Sequence, residues 1–116
     1  MTSDRSNHKQ GDTVSHDRER RVEESYATYK SAVRESERVI SALERKRSRV
    51  RDDIDALEAQ IRAMPTWCDS GDEYAAMANT RDRLWQFVRI LDGMIRAQLV
   101  IQDKARRLHC AVLHGD

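Results

Sequence analysis

Turn-forming and aromatic residues are scarce in this sequence. Its 116 residues include one proline and four glycines, and 5% of them are aromatic. A β-sandwich needs a turn after every short strand, so this composition argues against one. The sequence also lacks a glycine-rich phosphate loop, which argues against a nucleotide-binding α/β domain. With 35% charged and 39% apolar residues, the composition is instead typical of long amphipathic helices.

Neither sign of charge dominates, and cysteine is rare. Lysine and arginine total 21 against 20 aspartates and glutamates, so the chain as a whole has no general attraction for nucleic acid or acidic membranes. The two cysteines, Cys68 and Cys110, would lie roughly 60 Å apart on the hairpin derived below. That distance is too great for a disulfide, which predicts free thiols in a reducing compartment.

Long apolar runs are also missing. The first ten residues have no apolar core of the kind found in secretory signal peptides. Arg89, Asp92 and Arg96 interrupt the most apolar stretch, so no segment reaches the roughly 18 apolar residues of a membrane span. We therefore expect a cytoplasmic protein without membrane insertion, with export by a route that uses no classical signal as the open alternative.

An apolar stripe repeats every seven residues through the first half of the chain. Eleven of its thirteen positions are apolar, and only Ser36 and Arg47 interrupt it. A strict heptad repeat over this length predicts a coiled-coil helix. The positions are Val22, Tyr26, Tyr29, Val33, Ser36, Ile40, Leu43, Arg47, Val50, Ile54, Leu57, Ile61 and Met64.

Local signals divide the chain into a tail and a hairpin. Ser15 is a plausible N-cap for the first helix, and Pro65 disfavours helical geometry at the residue before it. Ser70 and Glu73 have the spacing of a capping box that starts a second helix. Two helices joined by so few residues fold back on each other, so we predict an all-α, antiparallel two-helix coiled-coil hairpin. The predicted segments are a disordered tail (1–14) and a hairpin (15–116) made of a helix (15–64), a turn (65–70) and a helix (71–113).

The second helix carries more apolar side chains than one helix–helix seam can cover. Its predicted seam is apolar at eight of nine positions: Leu84, Phe87, Leu91, Met94, Gln98, Ile101, Ala105, Leu108 and Val112. Trp85, Val88, Ile95 and Leu99 form a second, neighbouring stripe. Leaving such side chains in water forfeits about 1.5–3 kcal/mol each, so we predict that these four residues form a protein interface. A homodimer that forms a four-helix bundle is the favoured partner arrangement, and a groove on a different protein is the alternative.

Four further positions in or near the seam have polar or small side chains. We expect Arg47 either to extend its charge to water or to meet the carboxylate of Asp92, and such a pair would set the register of the two helices. Ser36 and Gln98 are candidates for the same role. Gly93 costs about 1 kcal/mol in a helix interior, which suggests that another helix crosses close beside it.

A basic run, Arg45–Arg51, is the one candidate nucleic-acid patch. Arg45, Lys46, Arg49 and Arg51 could contact a phosphate backbone. Asp52 follows this run at once, and its cations point all round the helix. We therefore favour a solvated helix face and expect no nucleic-acid partner.

Residues for metal binding or catalysis are few. Cys110 and His114 stand four residues apart, but a zinc site needs three or four ligands, so we predict no metal and no cofactor. No nucleophile and base stand at a sequence spacing that indicates a catalytic pair, so we predict no catalytic residues and no enzymatic activity. Trp67, at the turn, is expected to cover the end of the seam, with a partner anchor as the alternative.

Two stretches resemble a known family in their composition. Val39–Met64 and Asp72–Ile95 are similar to the charged antiparallel hairpins of the type III secretion stalk or escort family. That resemblance implies a role beside the export ATPase and in the recycling of export chaperones. A second resemblance, ranked below it, links Trp67–Gly71 to the turn of the small WXG-type secreted hairpins.

The function predicted from the sequence is thus a non-enzymatic helical hairpin that acts through protein contacts, as a secretion-apparatus stalk or chaperone escort. One alternative is a small nucleic-acid-associated protein that uses Arg45–Arg51. The other is a small inhibitor that binds a host or rival protein machine.

Overall fold

Two helices make up the fold. The computed structural model describes the backbone of residues 2–65 and 71–115, and the side chains of residues 15–65 and 71–115. Over these ranges the chain forms helix α1 (Thr2–Ala63) and helix α2 (Gly71–Leu113) and contains no strand. Apolar residues of α1 pack against apolar residues of α2. The predicted all-α helical hairpin is therefore confirmed.

The helix boundaries agree with the sequence patterns at three of their four ends. α2 has the predicted range, and α1 ends at Ala63, one residue before the predicted end and two before Pro65. The start differs, because α1 begins at Thr2 where the sequence analysis placed a disordered tail up to residue 14. Residues 2–14 contain one glycine and no proline, and a nucleated helix extends at the low cost of one residue ordered per hydrogen bond gained.

The end of α2 has the expected glycine cap. Gly115 adopts a left-handed conformation with φ of 78°, which a side chain would disfavour. Its N–H donates to the carbonyl oxygen of Val112 at 3.1 Å, so one of the last helical carbonyls is satisfied. Trp67, Cys68 and Ser70, on which the turn and capping-box predictions depend, lie outside the described residues.

The chain divides into two compact units. Unit 1 comprises residues 1–36 and 100–116, and unit 2 comprises residues 37–99. Each unit contains a stretch of α1 paired with a stretch of α2, so each has its own seam.

The apolar core lies in unit 2. Ile54 is only 1% exposed and Val88 only 2%, and both pack with Val50 and Leu91. The partly buried side chains of Leu43, Leu84 and Phe87 pack against these four. All the α1 members of this core belong to the predicted heptad stripe, because a seven-residue repeat keeps one face of the helix on its partner.

The seam of α2 runs along a different line from the predicted one. In unit 2 its seam contains Leu84, Val88, Leu91 and Ile95, with Phe87 half-buried beside them. Val88 and Ile95 thus join the seam beside Phe87, whereas Met94, which was expected in the seam, is exposed. Both lines have heptad spacing, so the periodicity alone could not separate them.

The seam of unit 1 combines polar side chains with half-buried apolar ones. Ser36 is 2% exposed, and the Nε2 of Gln102 donates a hydrogen bond to its Oγ at 3.1 Å. His109 is half-buried, whereas Ile101 and Leu108, which the sequence analysis placed in the seam, are exposed. The same one-residue shift thus occurs here, since Gln102 and His109 replace their apolar neighbours.

Candidate interaction surfaces and groove

The four residues predicted to form a protein interface do not form one surface. Val88 belongs to the core of unit 2, so its assignment to an interface is wrong: its side chain is buried against α1. Ile95 is half-buried. Trp85 and Leu99 remain exposed, by 38% and 52% respectively.

An ion pair occupies the side of α2 between Trp85 and Leu99. Asp92 lies seven residues from each of them, and the Nη1 of Arg47 donates a hydrogen bond to its Oδ1 at 2.6 Å. This contact confirms one of the two alternatives expected for Arg47, the meeting with Asp92. The hydrogen bond holds the pKa of Asp92 below its usual value, although partial burial acts in the opposite direction. The nearby charges of Arg51 and Arg96 lower this pKa further.

A different face of α2 is apolar and exposed. Ile90 is 58% exposed and Met94 48% exposed, and Gly93 and Ala97 stand beside them with the i, i+3, i+4, i+7 spacing of one helix face. We call these four residues the outer face of α2. The sequence analysis missed this face because it assigned Met94 to the seam.

Gly93 has no packing role within unit 2. A Cβ atom at this position would meet only the guanidinium group of Arg96, at 4.0 Å. The predicted close crossing by another helix is therefore wrong within the described chain. The glycine leaves the centre of the outer face free of a side chain.

The basic run does not form a single surface. Arg45, Lys46, Arg49 and Arg51 are all exposed, but the Nζ of Lys46 lies 5.4 Å from the ring centroid of Phe87. Arg51 instead acts on the carboxylate of Asp92. Phe87 and Asp92 are five residues apart on α2 and so face directions about 140° apart. The run surrounds α1, as expected for a solvated helix.

Unit 1 contains an open groove of about 560 Å³. Arg18 and Arg21 line it, three residues apart on one side of α1, and neither makes an ion pair with the described part of the chain. Asp17 pairs with Arg20 instead, at 3.3 Å. The described residues that line it are Arg18, Arg21, Val22, Glu24, Ser25, Thr28, Val112 and Gly115.

A serine and a histidine meet at this groove. The Oγ of Ser25 lies 2.9 Å from the Nδ1 of His109. The imidazole stacks on Tyr29, with centroids 5.5 Å apart and planes 12° from parallel. Sequence reasoning missed this pair because the two residues are 84 positions apart. The antiparallel pairing of the helices was the only signal that could have brought them together.

The pair has the distance of a nucleophile and its base. Covalent catalysis needs donors aimed at the developing oxyanion, and the peptide N–H groups around Ser25 are used in the hydrogen bonds of α1. We therefore interpret the Ser25–His109 pair as part of a binding surface.

Metal sites and membrane-spanning segments are absent from the described residues. No group of three or more His, Cys, Asp or Glu side chains is placed to hold a metal ion there. Cys110 is a free, exposed thiol. Neither helix, over its described length, has a segment both long and apolar enough to cross a bilayer.

The fold defines the class of this protein as a helical hairpin of coiled-coil type. No family model, curated protein or solved structure matches the chain. The function is therefore inferred from the surfaces of the chain itself.

Proposed function

We propose that this chain is a non-enzymatic helical hairpin that acts through protein contacts and associates with a second copy of itself. The outer face of α2 is the proposed contact. The observation that carries this proposal is the exposure of Ile90 and Met94 on one helix face, in a chain whose described residues bury only four apolar side chains. Large apolar side chains grouped on a face mark interaction sites.

A second copy of the chain is the proposed occupant for reasons of charge and shape. The net charge of +1 opposes self-association very little. In a two-fold symmetric dimer the same face meets itself, so apolar side chains meet apolar side chains. The missing side chain at Gly93 would let two α2 helices approach closely, and two hairpins paired in this way make a four-helix bundle.

The first experiment is the molar mass of the purified chain by light scattering after size exclusion, over a concentration range of about tenfold. The expected mass is twice the 13.5 kDa of one chain. Ile90→Gln with Met94→Gln should give the single-chain mass with unchanged helicity by circular dichroism, because glutamine favours helix but does not favour an apolar contact. A monomeric wild-type chain would overturn self-association.

A matched variant tests which face is used. Trp85→Gln with Leu99→Gln also removes two large exposed side chains of α2, but from the side occupied by Asp92. The proposal expects this variant to remain dimeric. If it dissociates while the Ile90 and Met94 variant stays dimeric, the contact lies on the Trp85 side and the proposed face is wrong.

The resemblance to type III secretion hairpins supplies one specific setting for this proposal, namely a stalk or escort component. A cytoplasmic location is part of that setting and is consistent with the free thiol of Cys110. The dimer experiment depends neither on the stalk or escort role nor on the cytoplasmic location.

A further inference from the structure

The groove of unit 1 combines unpaired positive charge with hydroxyl groups. Arg18 and Arg21 line it without an ion-pair partner among the described residues, and Ser25 and Thr28 line it from the same helix. Arginine presents a planar fork of N–H donors that matches the oxygens of a phosphate group. We propose that this groove binds a small soluble phosphate ester, with Arg18 and Arg21 on the phosphate.

The size and the lining of the groove favour a small organic ligand. Its volume of about 560 Å³ lies within the range of small-molecule sites, about 300–1,000 Å³. Val22 and Val112 offer apolar surface to the organic part of the ester. Glu24 also lines the groove, and its negative charge weakens the binding of an anion without cancelling two arginines.

Ser25 connects the groove to His109. When Nδ1 of His109 carries a proton, the ring donates to Oγ of Ser25, and the hydroxyl proton of Ser25 is free to bond a ligand oxygen. When Nδ1 is unprotonated, that hydroxyl proton is used on the ring. A bound phosphate therefore selects the form of His109 that carries a proton on Nδ1.

Charged and titratable groups of both helices lie near this histidine. Tyr26 and Tyr29 of α1 face its ring, and Lys30 lies over the ring of Tyr26 at 5.7 Å. On α2 the charged side chains that precede His109 are those of Asp103, Lys104, Arg106 and Arg107, and Asp103 pairs with Arg106 at 2.6 Å and with Arg107 at 3.0 Å. A ligand at Ser25 would act on His109 through the Ser25–His109 hydrogen bond.

The test is titration of the full chain with glycerol 3-phosphate, followed by calorimetry and by NMR of the His109 ring. Glycerol and acetate serve as ligands that lack the phosphate. We expect saturable binding of glycerol 3-phosphate alone, with a change in the ring nitrogen shift of His109 toward the form protonated on Nδ1. Equal binding of acetate, or no shift in any groove residue, would overturn the proposal.

Four variants assign the residues. Arg18→Gln with Arg21→Gln should weaken binding about tenfold or more, since each arginine makes a charge-assisted contact. Arg20→Gln is the matched control, because Arg20 pairs with Asp17 and does not line the groove. Glu24→Gln should tighten binding. Ser25→Ala should abolish the ligand-dependent shift of His109, and a shift that persists in this variant contradicts the proposed connection. Circular dichroism of each variant establishes that it is folded.

Discussion

Arg47 shows how one residue can break a sequence pattern and still fit the fold. It interrupts the apolar stripe of α1, and its guanidinium group bonds the carboxylate of Asp92 on α2. The two side chains are about one-third exposed, so their ends still reach water. This pair ties one position of α1 to one position of α2, which is the role in register expected from the sequence.

The Arg47–Asp92 pair predicts a dependence of stability on pH. The pKa of Asp92 in the folded chain lies below its usual value, so its contribution is fully present above the unfolded pKa of about 3.9. That contribution is lost as pH falls through the lower, folded pKa. Urea unfolding should show Asp92→Asn less stable than wild type near neutral pH, with the difference closing below about pH 4.

Asp53→Asn is the control for that experiment. Asp53 is exposed and makes no ion pair with the described residues. Its substitution should leave the free energy of unfolding nearly unchanged across the same pH range. If the two variants lose stability in parallel with wild type, the acid sensitivity belongs to other groups.

Ile54 is the residue whose packing matters most to unit 2. It is 1% exposed and contacts both helices' core side chains. Ile54→Ala should lower the free energy of unfolding by about 2–5 kcal/mol, through lost burial and a residual cavity. Ile101→Ala removes the same atoms from an exposed position and should cost far less. Chemical denaturation measures the free energy of unfolding of both variants. Similar losses of stability in the two would contradict the assigned core.

At the scale of the element, α2 is a helix with apolar side chains on two of its sides. One side carries Val88 and Ile95 and packs on α1, whereas the other carries Ile90 and Met94 and stays exposed. The packed side is also the one from which Asp92 reaches Arg47. Rotating α2 toward the predicted seam would bury Met94 but carry Asp92 away from its partner.

Gly93 gives a test of the outer face in two backgrounds. In the monomeric Ile90→Gln, Met94→Gln chain, Gly93→Ala should raise the free energy of unfolding by about 0.5–1 kcal/mol, because alanine is the better helix former and its Cβ meets only Arg96. In the wild-type background the same change should weaken the dimer by blocking close approach of the helices. Light scattering on dilution measures the second effect, and an unchanged dimer would mean that no helix crosses at Gly93.

At the scale of the whole molecule, the two units differ in what holds their helices together. Unit 2 has the apolar core, with Val50, Ile54, Val88 and Leu91. Unit 1 has no fully buried apolar side chain among its described residues, and polar contacts join its helices, Ser36 with Gln102 and Ser25 with His109. Polar contacts contribute less net stability than apolar burial. Association through α2 would therefore add the apolar burial that one hairpin by itself lacks.

The sequence by itself determined the elements of this protein. The heptad stripe predicted which face of α1 is buried, Pro65 predicted where that helix ends, and the range of α2 was predicted from Gly71 to Leu113. These features depend on residues close together in the chain, where periodicity and backbone restrictions act. Counting back across the short turn also named Asp92 as one of the two alternatives for Arg47.

Only the tertiary structure decided how α2 is rotated and what its faces do. A seam through Phe87 and Met94 and a seam through Val88 and Ile95 have the same heptad spacing. The packing of Val88 in the core and the bond of Asp92 to Arg47 show which of the two faces α1. Ser25 and His109 carry no local signal, and helix pairing alone brings them together. The physical reason is that contacts between distant residues depend on the rotation of one helix against another, which side-chain packing sets.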